Sequence, residues 1–375
     1  MKMMNNFWGE KMKSKLYILL ILLLSALLLF TACSSEKVQQ PQQTEDDIKQ
    51  QGNLSQDDLK EEIQNIEKEY EAQTPEEKQI TENDYNAVSP FTGLPITKNY
   101  YKRAVAVSIE NSPAARPQSG LNEAKLVYEF MLEGGITRFL AIFWPEVPEK
   151  IGPIRSARPA LVKTAQSYDA VFLHAGASPD GFAILAVNDI LHLDQLYKSQ
   201  YFWRSSKRSA PHNLYSGEEP LKNYLDNLAE KEYPEQFNFL TASVVSDFEE
   251  AENISIDYWG PYKVLYEYNS LENNYLRFLN SRDNPHLVEN GDQLKAKNII
   301  VQYVKTSTKD REGRQDIDLK SGGKMKLFRD GLVIKGSWEN NDNQITYFNT
   351  AGEEIELNRG QTWIQVVPNS TEVTY

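Results

Sequence analysis

Cysteine occurs once in 375 residues, at Cys33, and histidine only four times. One thiol cannot close an intramolecular disulfide, so no disulfide framework supports this fold. The four histidines, His174, His192, His212 and His286, are dispersed and show no His-x-x-x-His spacing. With no second cysteine beside them, no metal centre is expected and no cofactor is called for. Positive charge is also short: 40 Lys and Arg face 53 Asp and Glu, a net charge of −13. An acidic chain with scattered arginines points away from nucleic acid as a partner. The apolar run Leu16 to Phe30 falls short of the ~20 residues that a membrane-spanning helix needs.

That run is the first thing the sequence does contain. Lys2, Lys11, Lys13 and Lys15 precede it and Thr31-Ala32-Cys33 follows, the order of an export signal over residues 1–32. Cys33 resembles the lipobox cysteine of bacterial lipoproteins, whose thiol is diacylated, although Phe30 stands where that pattern prefers Leu. An uncleaved anchor and a plain secretory signal are the competing readings. Lipidation would spend the sole cysteine, which excludes cysteine transpeptidase chemistry, and two acyl chains would hold the protein to the outer face of the membrane. Residues 33–86 are expected to form an acidic flexible stalk, with fifteen acids against five lysines between Ser34 and Asn86. So polar a segment cannot bury enough surface to fold alone. Within it, Ser55 to Asp58 resembles a capping box, and Leu59, Ile63, Ile66 and Tyr70 at helical spacing predict one amphipathic helix.

Beyond the stalk the pattern predicts an α+β fold: an N-terminal α/β layer domain over 87–245, then a mainly antiparallel β domain over 251–375. Strands are expected at Ala104–Ile109, Leu126–Leu132, Phe139–Trp144 and Ala170–Leu173. Helices are expected at Pro159–Ser167, with Pro in its first turn, and at Phe182–Leu193. In such layered folds functional residues gather where loops leave the carboxyl ends of strands. From Ala251 short alternating runs, among them Val264–Tyr268, Ile299–Val304, Met325–Phe328 and Trp363–Val367, are separated by turns such as Asp330-Gly331 and predict antiparallel strands. Tyr258-Trp259-Gly260-Pro261-Tyr262 reads as core packing, with a sugar-stacking platform as the alternative. His286, in a polar loop, is given no role.

The densest chemistry lies in Ile151-Gly152-Pro153-Ile154-Arg155-Ser156-Ala157-Arg158-Pro159. Two guanidiniums this close to apolar runs need carboxylates or an anionic ligand. The candidate ligand-binding residues are Arg116, Arg138, Arg155, Ser156, Arg158, Ser178, Arg208 and Asn213, with His174 and His212 as candidate general acid or base. Such a set suits phosphate, pyrophosphate or the carboxylates of a peptide stem. Glycine at Gly176 lets backbone N–H groups approach an anion. On the opposing reading Glu110, Glu129, Glu133 or Asp169 pair with the arginines and hold loops together. A serine hydrolase built on Ser156 or Ser178 lacks support, since neither lies in a Gly-x-Ser-x-Gly elbow.

The segments Gly135-Ile136-Thr137-Arg138-Phe139, Gly152 to Arg158, His174-Ala175-Gly176-Ala177-Ser178 and Ala210-Pro211-His212-Asn213 resemble the YerB-like lipoprotein family of bacteria. The resemblance runs from Ser89 to Pro368. It implies a lipoprotein of two domains with no assigned reaction. A looser similarity of layout, Arg before a strand, a Pro/Lys turn, then a strand followed by Ser, Arg and Pro, links the chain to the LytR-CpsA-Psr glycopolymer transferases, whose ordered aspartates it lacks. Taken together, these readings predict a membrane-anchored extracytoplasmic lipoprotein that holds an anionic envelope component, of peptidoglycan or polyprenyl-phosphate type, in an arginine-lined cleft. The alternatives are a hydrolase or transferase acting on wall precursors or glycopolymers, and a scaffold that recruits other membrane proteins.

Overall fold

The structure, a computed structural model, describes residues 85–375 apart from 98–100, 102, 189, 232, 234–235, 242–247 and 260. The export signal, Cys33 and the helix expected after Ser55 lie outside the described residues. After a short two-stranded pair at Tyr85–Val88 and Pro95–Thr97, the elements that build the sheets begin with β1 (Val105–Glu110), β2 (Leu126–Glu133) and β3 (Ile136–Phe143), followed by α1 (Pro159–Ser167), β4 (Val171–His174), α2 (Pro179–Val187), β5 (His192–Asp194) and α3 (Glu218–Asp226). Then come β6 (Glu249–Glu250), β7 (Asn253–Trp259), β8 (Tyr262–Asn269), β9 (Asn274–Leu279), β10 (Lys295–Ala296) and β11 (Asn298–Val304). The chain finishes with β12 (Gly323–Arg329), β13 (Leu332–Asn341), β14 (Gln344–Asn349), β15 (Thr362–Pro368) and β16 (Val373–Thr374).

Strand predominates, and α1, α2 and α3 are the α-helices among the described residues. The α+β reading with a mainly β carboxyl-terminal half therefore holds. One mixed sheet of eleven strands runs β6-β13-β12-β11-β15-β2-β3-β1-β4-β5, with β14 added on β13. A second, antiparallel sheet of five runs β10-β9-β8-β7-β16. The main sheet is continuous through both halves of the chain: β15 pairs in parallel with β2, from Thr362 against Leu126 to Val366 against Phe130.

Every residue of β1 is buried, so its apolar residues face both sides of the sheet, and only Ser108 and Glu110 interrupt them. On one face Val105, Val107, Val127, Phe139 and Trp363 pack with Ile254, Ile256, Val264 and Tyr266 of the five-stranded sheet. On the other, Ala106, Tyr128, Leu140, Ile142 and Ile364 pack with Leu161, Val162 and Ala165 of α1.

One predicted element is corrected. The segment Phe182–Leu193 is not a single helix: α2 starts three residues earlier and ends at Val187, and His192–Asp194 is a strand. The start is fixed by Ser178, whose Oγ accepts the Gly181 N–H at 3.2 Å, with Pro179 at the first helical position. The end is set by Asn188, which leaves helical backbone angles and turns the chain so that Leu193 buries in parallel pairing beside Leu173.

Candidate anion-binding site

The double-arginine stretch crosses the carboxyl ends of the parallel strands β1 and β4. Its backbone is stitched there by Arg155 N to Ser108 O at 2.9 Å, Ala175 N to Arg155 O at 3.1 Å and Ala157 N to Gly176 O at 2.9 Å. The hairpin at 203–215 approaches from the side, with Ile154 N donating to Leu214 O at 2.7 Å. These bonds fix where the arginine side chains can reach.

Two carboxylates divide the arginines between them. Glu133, at the end of β2, takes the fork of Arg158, Nε to Oε2 at 2.9 Å and Nη2 to Oε1 at 2.7 Å, and also pairs with Arg138 at 3.2 Å. The remaining Nη1 groups of Arg138 and Arg158 donate to the carbonyls of Ser156 and Ala157. Burial, then the neighbouring Arg158, pushes Arg138 down to about 10. Burial would raise the Glu133 carboxyl, but the bonds from Arg158 and Arg138 outweigh it and hold it below the usual range. Ser156 contributes its carbonyl, which also accepts from Ser108 Oγ at 3.3 Å.

Glu110, at the end of β1, is almost fully buried and carries the second group. Oε2 accepts from His212 Nδ1 at 2.9 Å, Oε1 accepts from Ser112 Oγ at 2.9 Å, and Arg155 Nε lies 3.3 Å from Oε1. That last contact is misaligned, so the buried Nε makes no hydrogen bond, and the terminal Nη groups have no partner among the described residues. Arg155 and His212 keep 28% and 27% of their side-chain surface exposed. A histidine whose Nδ1–H is held by a carboxylate presents its Nε2 lone pair outward.

The remaining candidates are engaged elsewhere. Arg208 donates to the carbonyls of Ala115 and Pro117, Asn213 holds the hairpin through Ser205 and Arg208, and Ser178 caps α2. Arg116 donates to both the carbonyl and the side chain of Asn111, and its guanidinium lies 5.3 Å over the Tyr262 ring. Asp169 pairs with Arg103. His174 is fully buried and stacked on Phe172; its Nδ1 faces the Gly176 carbonyl at 2.9 Å and its Nε2 faces His192 Nδ1 at 3.0 Å. Because a carbonyl only accepts, Nδ1 carries the proton, and both nitrogens are spent. Burial pushes this histidine down to about 4. Such a ring cannot reach a substrate.

A second polar cluster was not read from the sequence. Glu129 of β2 and Arg277 of β9, both with no exposed side-chain surface, pair at 2.7 Å. Arg277 further donates to Tyr266 Oη at 2.5 Å, Tyr262 Oη at 3.2 Å and His286 Nδ1 at 3.0 Å, while its plane lies 4.6 Å from the Trp363 ring. Tyr262, Thr137 and Asn111 donate to Glu129 Oε1. Tyr258 donates to Gln365, so Tyr258 and Tyr262 serve the core. His286 accepts from Arg277 and therefore donates through Nε2 to Gln118, a neutral ring held well below its ordinary value by burial and then by Arg277. The signal present in the sequence was the pleat: Tyr275, Arg277 and Leu279 share the inward face of β9.

The class of protein that emerges is a mixed β-sheet protein whose buried ion pair joins its two halves and whose partly exposed Arg/His/Glu cluster sits at strand ends. Residues 91–233 match the N-terminal domain, and residues 254–364 the C-terminal domain, of a family described as protein of unknown function DUF3048, and the chain belongs to that family. It is 34% identical to "Putative lipoprotein YerB" of Bacillus subtilis (strain 168) over 290 residues, 75% of this chain and 86% of that protein. The crystal structure of the YerB protein from Bacillus subtilis superposes with a TM-score of 0.70 at 31% identity, covering 77% of this chain and all of that one. The resemblance read from the sequence motifs is thereby established.

Proposed function

We propose that this protein is an extracytoplasmic lipoprotein, anchored to the membrane through Cys33, that binds an anionic envelope ligand at Arg155 and His212. Among the expected arginines, Arg155 is the one whose guanidinium makes no hydrogen bond to the described residues. Arg138 and Arg158 are taken up by Glu133 and by carbonyls, which narrows the expected cleft to the Glu110 cluster. The carrying observation is that Arg155 meets Glu110 through one misaligned contact and that its guanidinium makes no hydrogen bond among the described residues. A planar fork with free donors suits phosphate or carboxylate. The anchor is supported by the lipobox-like text at Cys33 and by the description of the Bacillus relative as a lipoprotein.

The test is a thermal-shift titration of the full-length protein with pyrophosphate. A ligand at 100 times its Kd should stabilise by about 2.7 kcal/mol. Arg155→Ala should abolish the shift and keep the unliganded melting temperature, whereas a shift of equal size in Arg155→Ala sinks the reading. A second reading rests on the fixed His212 ring, since a histidine held through Nδ1 is placed to act through Nε2 as a general base on a wall precursor or glycopolymer. It requires turnover that His212→Gln removes without loss of pyrophosphate binding.

A further inference from the structure

Four lysines gather on an otherwise acidic chain, away from the Glu110 cluster. Lys324 and Lys326 stand two apart on β12 and so share a face, and Lys335 of β13 lies directly across from Lys326. Lys305 follows β11 at the same end, and all four line one groove of about 790 Å³ with Tyr303, Gly323 and Asn369. Like charges directly opposite on a sheet destabilise it, and a fold has no reason to place them there for packing alone. Compensation is thin. Glu249 pairs with Lys335 at 2.8 Å, and Lys326 rests over the Tyr375 ring and donates to the Val373 carbonyl. Lys305 and Lys324 have no ion-pair partner among the described residues, Asp318 being the acid whose field Lys305 reaches. Burial and then Lys335 lower Lys326 from its ordinary value, while the bond to Glu249 raises Lys335.

The spacing says what would fit. Ammonium-bearing positions recur about 7 Å apart along β12 and about 5 Å apart across the strand pair. That is a repeat for charges set along a chain, and a single small anion would meet one pair of them only. We propose that this groove binds a linear phosphate-bearing polyanion, at a site separate from Arg155 and independent of what Arg155 binds. The phosphates would lie between Lys324, Lys326 and Lys335, with Lys305 closing one end.

The experiment is a binding isotherm of the full-length protein, in uncharged detergent, with short linear polyphosphate at several salt concentrations. Four lysine contacts predict a slope of log K against log salt of about −3, and removal of two should bring it to about −1.4. Lys305→Gln with Lys324→Gln is the main variant, because both side chains are exposed and unpaired, and Lys326→Gln with Lys335→Gln is the second. Each isotherm is repeated in the Arg155→Ala background, so that phosphate taken up at the Arg155 site does not enter the slope. The proposal is overturned by absence of binding at low salt, by a slope that neither double variant alters, or by loss of binding in Arg155→Ala. It is equally overturned if anionic lipid vesicles capture the protein through these lysines while polyphosphate does not, since the occupant is then a membrane surface.

Discussion

Replacing Arg277 with methionine tests whether the buried pair joins the two halves of the fold. The side chain donates four hydrogen bonds, to Glu129, Tyr262, Tyr266 and His286, all from a fully buried position. Methionine approximates its length but supplies no donor, so Glu129 Oε2 and His286 Nδ1 are left buried and unsatisfied. Breaking one side of a buried pair costs about 3–5 kcal/mol, most of it from the charge left behind. Arg277→Met should therefore lose about 4 kcal/mol in urea unfolding followed by tryptophan fluorescence, to which Trp363 reports from 4.6 Å. Glu129→Gln in the same chain removes the stranded charge while keeping an acceptor for Tyr262, Thr137 and Asn111. The double variant should regain about 2 kcal/mol, a coupling within the range of touching residues. A loss below about 1 kcal/mol for Arg277→Met, or a double variant no better than the sum of the singles, refutes the reasoning. Because Glu129 and Arg277 belong to the separately matched regions, the wild type should unfold in one transition.

Acid should weaken the fold through His174. Its folded value, about 4, lies below the ordinary histidine value, so the unfolded chain takes up a proton near pH 6.5 that the native state refuses until about pH 4. Stability is present above pH 6.5 and is lost on descent, by about 2 kcal/mol between pH 7 and pH 5. His174→Gln should flatten that dependence by the same amount in urea titrations at the two pH values; an unchanged slope rules the assignment out. The two arginines of the crossing segment should separate in stability: Arg158→Ala strips the fork from Glu133 and costs about 1–3 kcal/mol, whereas Arg155→Ala stays within about 0.5 kcal/mol. Equal losses would mean that Arg155 holds the fold together no less than Arg158 does.

Local structure was legible where one signal acted alone. Pro159 opened α1 at the residue the sequence indicated, and the apolar runs of β1, β11 and β15 are strands within a residue or so of their expected bounds. The failure at 182–193 has a physical cause. Phe182 to Val187 is apolar on every side and so carries no period, and Leu193, read as its continuation, belongs to the next strand. The pairing of β15 with β2 joins residues more than two hundred positions apart, and no local pattern encodes it. For the site, the sequence grouped Arg155, Arg158, Arg138 and His212, which pair with Glu110 and Glu133, and named both acids among possible partners. It could not say which guanidinium would be saturated, because that depends on where each carboxylate sits at its strand end. Arg277 escaped notice since a charged residue in an alternating run reads as solvent-facing by default, and here it faces in.

The position of β15 makes the chain a self-checking object. Residues 362–368 fill the slot between β11 and β2, so a copy that stops before them has no way to close its largest sheet. It would expose two long apolar strands, each with a row of unmet backbone donors and acceptors. Folding that waits on β15 is slow, since its pairing with β2 closes a loop of more than two hundred residues. The same wait keeps the large sheet open, its edges unpaired, until β15 is in place.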